Sequence, residues 1–393
     1  MMRLFINGLA ASAGGGLTYL RNTIPVLARR TDTEATILLN PAVRGEFGEF
    51  PNISFIETAS GSGGFGRFVH EQTILPRLLR RSRSQVLVST GNFALWNAPV
   101  PQILLSRNSL YTSADFYRDV KARRDYSIWL DTLVKGWFAR HSIGRANVTV
   151  APSEAFAEEL TLWTGKKVLA LHHGFDRGAF TSDPTPLAAK VKQQLDDERD
   201  VLRLLFVSHY NYYRNFETLF RALPILRDRL GGNKVKLFLT CRLSSDQNPG
   251  TYRAEPASAL LNTLRSSASV VELGMVPYGS LHHLYRACHI YVTPAYAESF
   301  AHPLVEAMSS GLPVVASDLP VHREICRDAA LYFPRFSPEG LAERVAQIRR
   351  SSELAETLSR NGLNRAQEFG WDTHVDHLLA LAQELVDSSS RRT

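Results

Sequence analysis

The stretch Ala297-Glu-Ser-Phe-Ala-His-Pro-Leu-Val-Glu-Ala-Met-Ser-Ser-Gly-Leu-Pro-Val-Val-Ala-Ser-Asp318 reads as a loop, a helix, a glycine stop and a buried strand. Pro303 suits the first turn of a helix, where its missing N–H has no partner to lose. Leu304, Val305 and Met308 give that helix an apolar side, and Gly311 ends it. Pro313-Val-Val-Ala316 is short and apolar enough for the interior of a parallel sheet. Two carboxylates bracket the turn, Glu298 in the loop and Glu306 inside the helix. Such a pair is ordinarily just solvated. Here the preceding strand, His289-Ile-Tyr-Val-Thr293, places both after its carboxyl end, where open α/β sheets bind ligands. A helix start between two carboxylates suits an anion flanked by hydroxyls, which describes a sugar nucleotide.

Working outward, strands alternate with helices in both halves of the chain. Arg3–Asn7, Glu34–Leu39, Gln85–Ser89, Gln102–Leu105 and Val148–Ala151 read as strands of a first sheet. Gly14-Gly-Gly16 follows the opening strand, and Leu17, Leu20, Ile24 and Leu27 then recur at helical spacing. The Gly-x-Gly-x-x-Gly fingerprint of dinucleotide enzymes is absent, and the triplet alone also fits a flexible turn. Asn92, Arg107 and Asn108 lie just after strands, at the ligand end of the sheet. Asp176 to Asp200 is polar and proline-containing, as a linker is. The alternation then restarts with Val201–Val207, Lys236–Thr240 and Ser269–Leu273. The fold class is α/β, with domains expected at residues 1–178 and 201–371, a linker at 179–200, and a terminal helix, 372–393, packing back on the first domain.

The stretch from Glu298 to Glu306, two glutamates separated by seven residues, resembles the nucleotide-sugar signature of the retaining glycosyltransferases of family four. The resemblance is strong over the second half and loose over the first. It implies the GT-B architecture, two doubly wound Rossmann-like domains facing across a cleft. It implies transfer of a sugar from a UDP-, GDP-, ADP- or dTDP-linked donor to an acceptor hydroxyl with anomeric retention. A hexosyl or deoxyhexosyl transferase of cell-surface polysaccharide or glycolipid synthesis fits. By the same resemblance Ser208 stands for a glycine, His209 for an arginine and Arg214 for a lysine at the donor diphosphate. Glu298 is expected at the sugar hydroxyls and Glu306 at the ribose. Met275 and Val276 are expected at the base, Gly15 and Gly16 near the donor phosphate or the acceptor, and Ser299, Phe300, Ala301, His302, Pro303 and Leu304 around the donor. Asn92, Arg107 and Asn108 fall on the acceptor side. Arg107 stands near a histidine of the family, and His173 replaces its asparagine. Two other classes share the fold: a nucleotide-sugar epimerase or hydrolase, and a non-catalytic partner of another transferase.

Composition is that of an ordinary soluble enzyme, 44% apolar and 21% charged. The formal charge of +7 and pI near 9.4 favour an acidic partner. Arg77, Arg80, Arg81 and Arg83 beside Leu75, Leu78 and Leu79 suggest an anionic membrane surface or, more plainly, a solvated helix face. Nucleic acid is not expected, since no basic-aromatic motif accompanies the arginines. Cys241, Cys288 and Cys326 are too scattered for a metal site, and adjacent His282 and His283 point to different helix faces. No Asp-x-Asp pair is present. No metal and no cofactor are expected, only the donor as substrate. A cytoplasmic protein, peripheral at the inner face of the membrane, is the expectation; composition does not fix its oligomeric state.

Overall fold

The structure is a computed structural model, and it describes residues 1–11, 14–59, 63–196, 201–232, 234–243, 252–265 and 269–391. Two parallel sheets alternate with helices. The first is built from β1 (Met2–Asn7), β2 (Thr33–Leu39), β3 (Ile53–Glu57), β4 (Val86–Ser89), β5 (Gln102–Leu105), β6 (Val148–Ala151) and β7 (Leu169–Ala170), in the order β3-β2-β1-β4-β5-β6-β7. The second is built from β8 (Leu202–Phe206), β9 (Val235–Leu239), β10 (Val270–Glu272), β11 (Ile290–Thr293), β12 (Val314–Ser317) and β13 (Ala330–Phe333), in the order β10-β9-β8-β11-β12-β13. β4, β5, β11 and β12 are buried at every residue, as strands covered by helices on both faces must be. This is the doubly wound α/β architecture expected.

Each sheet reverses direction once. β1 pairs with β2 on one side and β4 on the other, and β8 pairs with β9 and β11. The loops leaving β1 and β4, and those leaving β8 and β11, diverge there and leave a crevice at the carboxyl ends of the strands. Sequence reading missed β3, a sparsely buried edge strand with Glu57 at its end.

Contacts divide the chain into two units: residues 1–112, 130–174 and 369–393, and residues 113–129 and 175–368. The helix Trp371–Ser390 completes the first. Trp371, Val375, Leu378 and Ala382 share one core with β1, β4 and the helix Gly14–Ala28. Arg29 and Arg30 hold Asp372 and Asp376 beside it. Gly174 is required there: a Cβ would lie 2.3 Å from the Trp371 nitrogen. The segment 113–129, expected in the first domain, belongs instead to the second unit. Its Asp119 accepts from the Tyr296 hydroxyl at 2.7 Å and its Asp125 from Tyr212 at 2.9 Å. Composition does not change at this segment, so nothing in the sequence marks the exchange. Within the expected linker, Arg177–Ser182 and Ala189–Asp196 are helical, and residues 197–200 lie outside the described residues.

Candidate functional site

At the reversal of the second sheet, the loops after β8 and β11 are stitched together. Asn215, left-handed at φ 56°, donates from its amide to the Pro294 carbonyl at 3.1 Å. Asparagine tolerates that conformation better than most residues. The Tyr296 N–H donates to the Tyr213 carbonyl at 2.9 Å. Arg214, between these ties, forms an ion pair with Glu298 and lies 5.0 Å from the centre of the Tyr213 ring. Its Nε is buried with no partner among the described residues. Behind the loops, Arg123 pairs with Asp119 and Glu217, both at 2.8 Å, and its guanidinium lies over the Tyr212 ring. His209 sits on the same loop. Burial, and next Arg214, lower its pKa, so its imidazole is neutral at pH 7.

The chain enters the helix His302–Ser309 through Ala301 at φ 67°, and no side chain caps that helix. An uncapped start leaves positive partial charge facing outward. Leu304 is not a free donor. Its N–H is used within the turn, to the Ala301 carbonyl at 2.9 Å, and its side chain is buried. Glu306 is 5% exposed, with its carboxylate held by the Tyr285 hydroxyl at 2.8 Å and by Tyr278. Burial raises its pKa to about 7, against the pull of both hydroxyls. Tyr278, half exposed, stands over it. Met275 is almost fully exposed and follows Gly274, which turns the chain at φ 78° beyond β10.

In the first unit the helix Gly14–Ala28 begins with the glycine triplet, Gly14 at φ 59°. Arg107, after β5, donates to the carbonyls of Gly15 and Thr90, and its N–H donates to the Asn92 side chain at 2.6 Å. Burial lowers its pKa. Its guanidinium lies 5.3 Å from the centre of the Tyr19 ring, and no carboxylate among the described residues pairs with it. Tyr19 donates to His374 Nε2 at 3.0 Å, and His374 Nδ1 donates to the His172 carbonyl at 2.8 Å. Burial, the largest cause, holds His374 neutral with a pKa of about 4. Asn108 is occupied as a cap, accepting from the Leu110 N–H at 3.0 Å. Thus Gly15, Gly16, Asn92 and Arg107 come together, while Asn108 serves the backbone. Tyr19, His374, Tyr278 and Arg123 were not singled out from the sequence, and Tyr285 was read only as part of a packing helix face.

A cavity of about 880 Å³ opens at the opposite, amino ends of the strands of the second sheet, lined by Arg286, His289, Gly311 and Arg349 among others. It is not the candidate site. Arg286 and Arg349 occupy the last turns of their helices, where a cation offsets the carbonyl ends. Cys241, Cys288 and Cys326 are buried free thiols, and burial raises the pKa of each.

Residues 188–365 match the family model described as glycosyl transferases group 1. An O-antigen chain mannosyltransferase B of Escherichia coli is 33% identical over 100 residues, 25% of this chain and 26% of that one. A D-inositol 3-phosphate glycosyltransferase of Thermobifida fusca is 26% identical over 254 residues, 61% of this chain and 55% of that one. The chain therefore spans from a quarter to just over half the length of these curated relatives. Among solved structures, a sucrose-phosphate synthase from Thermosynechococcus elongatus superposes with a TM-score of 0.77 at 17% identity, covering 99% of this chain and all of that one. Anabaena HepE in complex with UDP and glucose gives 0.70 at 16% identity, covering 98% of this chain and all of that one. The fold is that of the GT-B glycosyltransferases.

Proposed function

We propose that this chain is a retaining, metal-independent glycosyltransferase of family four, moving a hexosyl or deoxyhexosyl group from a nucleotide sugar to an acceptor hydroxyl. The observation that carries the reading is the second switch point. Arg214, Glu298, the uncapped helix start and the Glu306 carboxylate beneath it gather at the end of β11. The match of residues 188–365 to a glycosyltransferase family supports it, as does the UDP and glucose held by a structure of the same fold.

In such a transfer the sugar gains positive charge while negative charge grows on the departing diphosphate, and stabilising that charge is the main catalytic task. Arg214 is oriented by Glu298, with its remaining N–H groups left for phosphate. Glu298 thus has two roles, holding the sugar hydroxyls and positioning Arg214. Glu306, with Tyr278, meets the ribose, while Met275 and Val276 flank the base. Gly15 and Gly16 approach the phosphates. Arg107 and Asn92 face the acceptor, a glycan or lipid-linked sugar of cell-surface synthesis at the inner face of the membrane.

The test is single-turnover sugar transfer beside calorimetric nucleotide binding. Glu298→Ala and Arg214→Ala should each slow transfer. If both transfer at the parent rate, the site is elsewhere and the reading fails. Donor consumed equally fast without acceptor identifies a hydrolase or epimerase instead.

A further inference from the structure

The arginine–leucine segment near residue 80 does not form a mixed surface. Arg77, Arg80, Arg81 and Arg83 are exposed, but Leu75 and Leu79 turn into the core and Leu78 packs against it. Six exposed apolar side chains of the first unit gather elsewhere. On the helix Tyr126–Arg145, Leu130, Leu133, Val134 and Trp137 follow helical spacing and are 45–55% exposed. Phe65 and Val69, one turn apart on the helix Gly63–Arg81, are 66% and 45% exposed. The two helices meet: the rings of Phe65 and Phe138 lie 6.1 Å apart, and a Cβ on Gly64 would touch the Lys135 side chain. Underneath, Phe68, Phe93, Trp96 and Phe138 pack as one aromatic cluster. The stripe is therefore backed by a rigid floor.

Clustered apolar exposure of this extent marks a docking surface, and the surrounding charge selects its occupant. The helix Gly63–Arg81 carries Arg67, Arg77, Arg80 and Arg81 against Glu71 alone. From Leu130 onward the other helix carries Lys135, Arg140 and Arg145 against Asp131 alone. Both acids are already matched, Glu71 by Arg67 and Asp131 by Lys135. On these two helices the charge left over is positive, with Arg77, Arg80 and Arg81 exposed at the end of one and Arg140 and Arg145 on the other, while the helix Glu154–Thr164 beside them carries three glutamates. A second copy would bring cation against cation, which opposes association. An anionic lipid surface accepts both parts of the face, and tryptophan suits the boundary between headgroup and chain.

We propose that this two-helix face of the first unit docks on an anionic lipid bilayer, with Phe65, Leu133, Val134 and Trp137 entering the acyl boundary and the arginines staying among the headgroups. The inference deepens the proposed membrane-side transfer and rests on that reading for its purpose. Binding itself is read without donor or acceptor.

The experiment is sedimentation of the full chain with phosphatidylcholine vesicles, with and without phosphatidylglycerol, at low and high salt. The chain should pellet with the phosphatidylglycerol vesicles and be partly released by salt. Leu133→Glu/Trp137→Glu should lower the bound fraction about tenfold or more while far-UV circular dichroism stays unchanged. Phe65→Glu, on the other helix, should act in the same direction. A parent chain that remains in the supernatant, or a double variant that pellets like the parent, overturns the proposal. So does a parent dimer in light scattering that becomes monomeric in the double variant, because the face then belongs to a second copy. Transfer to a soluble acceptor by the double variant at the parent rate separates lost docking from a failed transferase reading.

Discussion

Both sheets bring an arginine to their switch point, and the two are held in opposite ways. Arg214 has a carboxylate, Glu298, on the loop stitched beside it. Arg107 has the carbonyls of Gly15 and Thr90 and the face of Tyr19. A guanidinium already paired is oriented before any ligand arrives, so less order is lost when a phosphate joins it. One facing carbonyls and a ring has no carboxylate to give up when a substrate brings an anion. Within the proposed transfer we carry the contrast into a division of tasks: Arg214 for charge that develops during reaction, Arg107 for charge that an acceptor brings.

The largest expected effect breaks the comparison on its second-unit side. Arg214→Ala should slow single-turnover transfer by about two to three orders of magnitude, roughly 2–4 kcal/mol, with a smaller loss of nucleotide affinity. An equal loss in affinity and rate would mean that Arg214 grips the ground state just as well.

Next comes the response to acid, which should have opposite sign in the two units. Glu306 has its pKa raised from 4.5 to about 7. The stability it contributes is full below pH 4.5 and is lost as pH rises through 7. His374 has its pKa lowered from 6.5 to about 4. Its contribution is present above pH 6.5 and is lost as pH falls through 4. Each amounts to about 3 kcal/mol at most. Glu306→Gln should therefore gain melting temperature relative to the parent between pH 5 and 8. His374→Gln should narrow its deficit between pH 7 and 5. Melting curves that keep constant offsets across pH would remove both groups as titrating sites.

Glu298→Ala should lower transfer about tenfold and, because Arg214 loses its partner, weaken nucleotide binding a few-fold. Untouched nucleotide affinity would show that Arg214 needs no help. Arg107→Ala should raise KM about tenfold for an acceptor bearing phosphate or carboxylate, and leave a neutral acceptor unaffected. Equal effects on both acceptors would end the division of tasks. Smallest of all, EDTA should change nothing, because guanidinium and helix start supply the positive charge. Activity lost to EDTA and restored by magnesium or manganese counts against the mechanism.

What the sequence made legible was local. Pro303, Gly311 and the two glutamates lie within one loop and one helix, so the preceding strand and the resemblance to a family signature were enough to mark them. Arg214 was placed by its resemblance to a lysine of the family, on the loop after β8. The partners that give these residues their properties are distant in the chain: Asp119 meets Tyr296 across 177 residues and His374 meets Tyr19 across 355. No periodicity encodes such contacts. β3 escaped because an edge strand with a half-exposed face lacks the continuous apolar run of β4 or β12. The grouping of leucines with arginines dissolved for another reason. Leu75 and Leu79, four residues apart, lie on the inward face of their helix, opposite the arginines they were grouped with.

The helix Trp371–Ser390 also sets an order of events during synthesis. A ribosome extends the chain at about 5–20 residues per second. The last piece of the first core therefore emerges tens of seconds after Gly174 has left the tunnel. In that interval the second unit becomes complete, since everything it contains lies at or before Glu368. The first sheet meanwhile waits with the surface meant for Trp371, Val375 and Leu378 uncovered, open to a chaperone or a protease. A nascent chain arrested with Glu368 just outside the tunnel should resist brief proteolysis across residues 175–368 and be cut within residues 1–174. The half begun first is finished last.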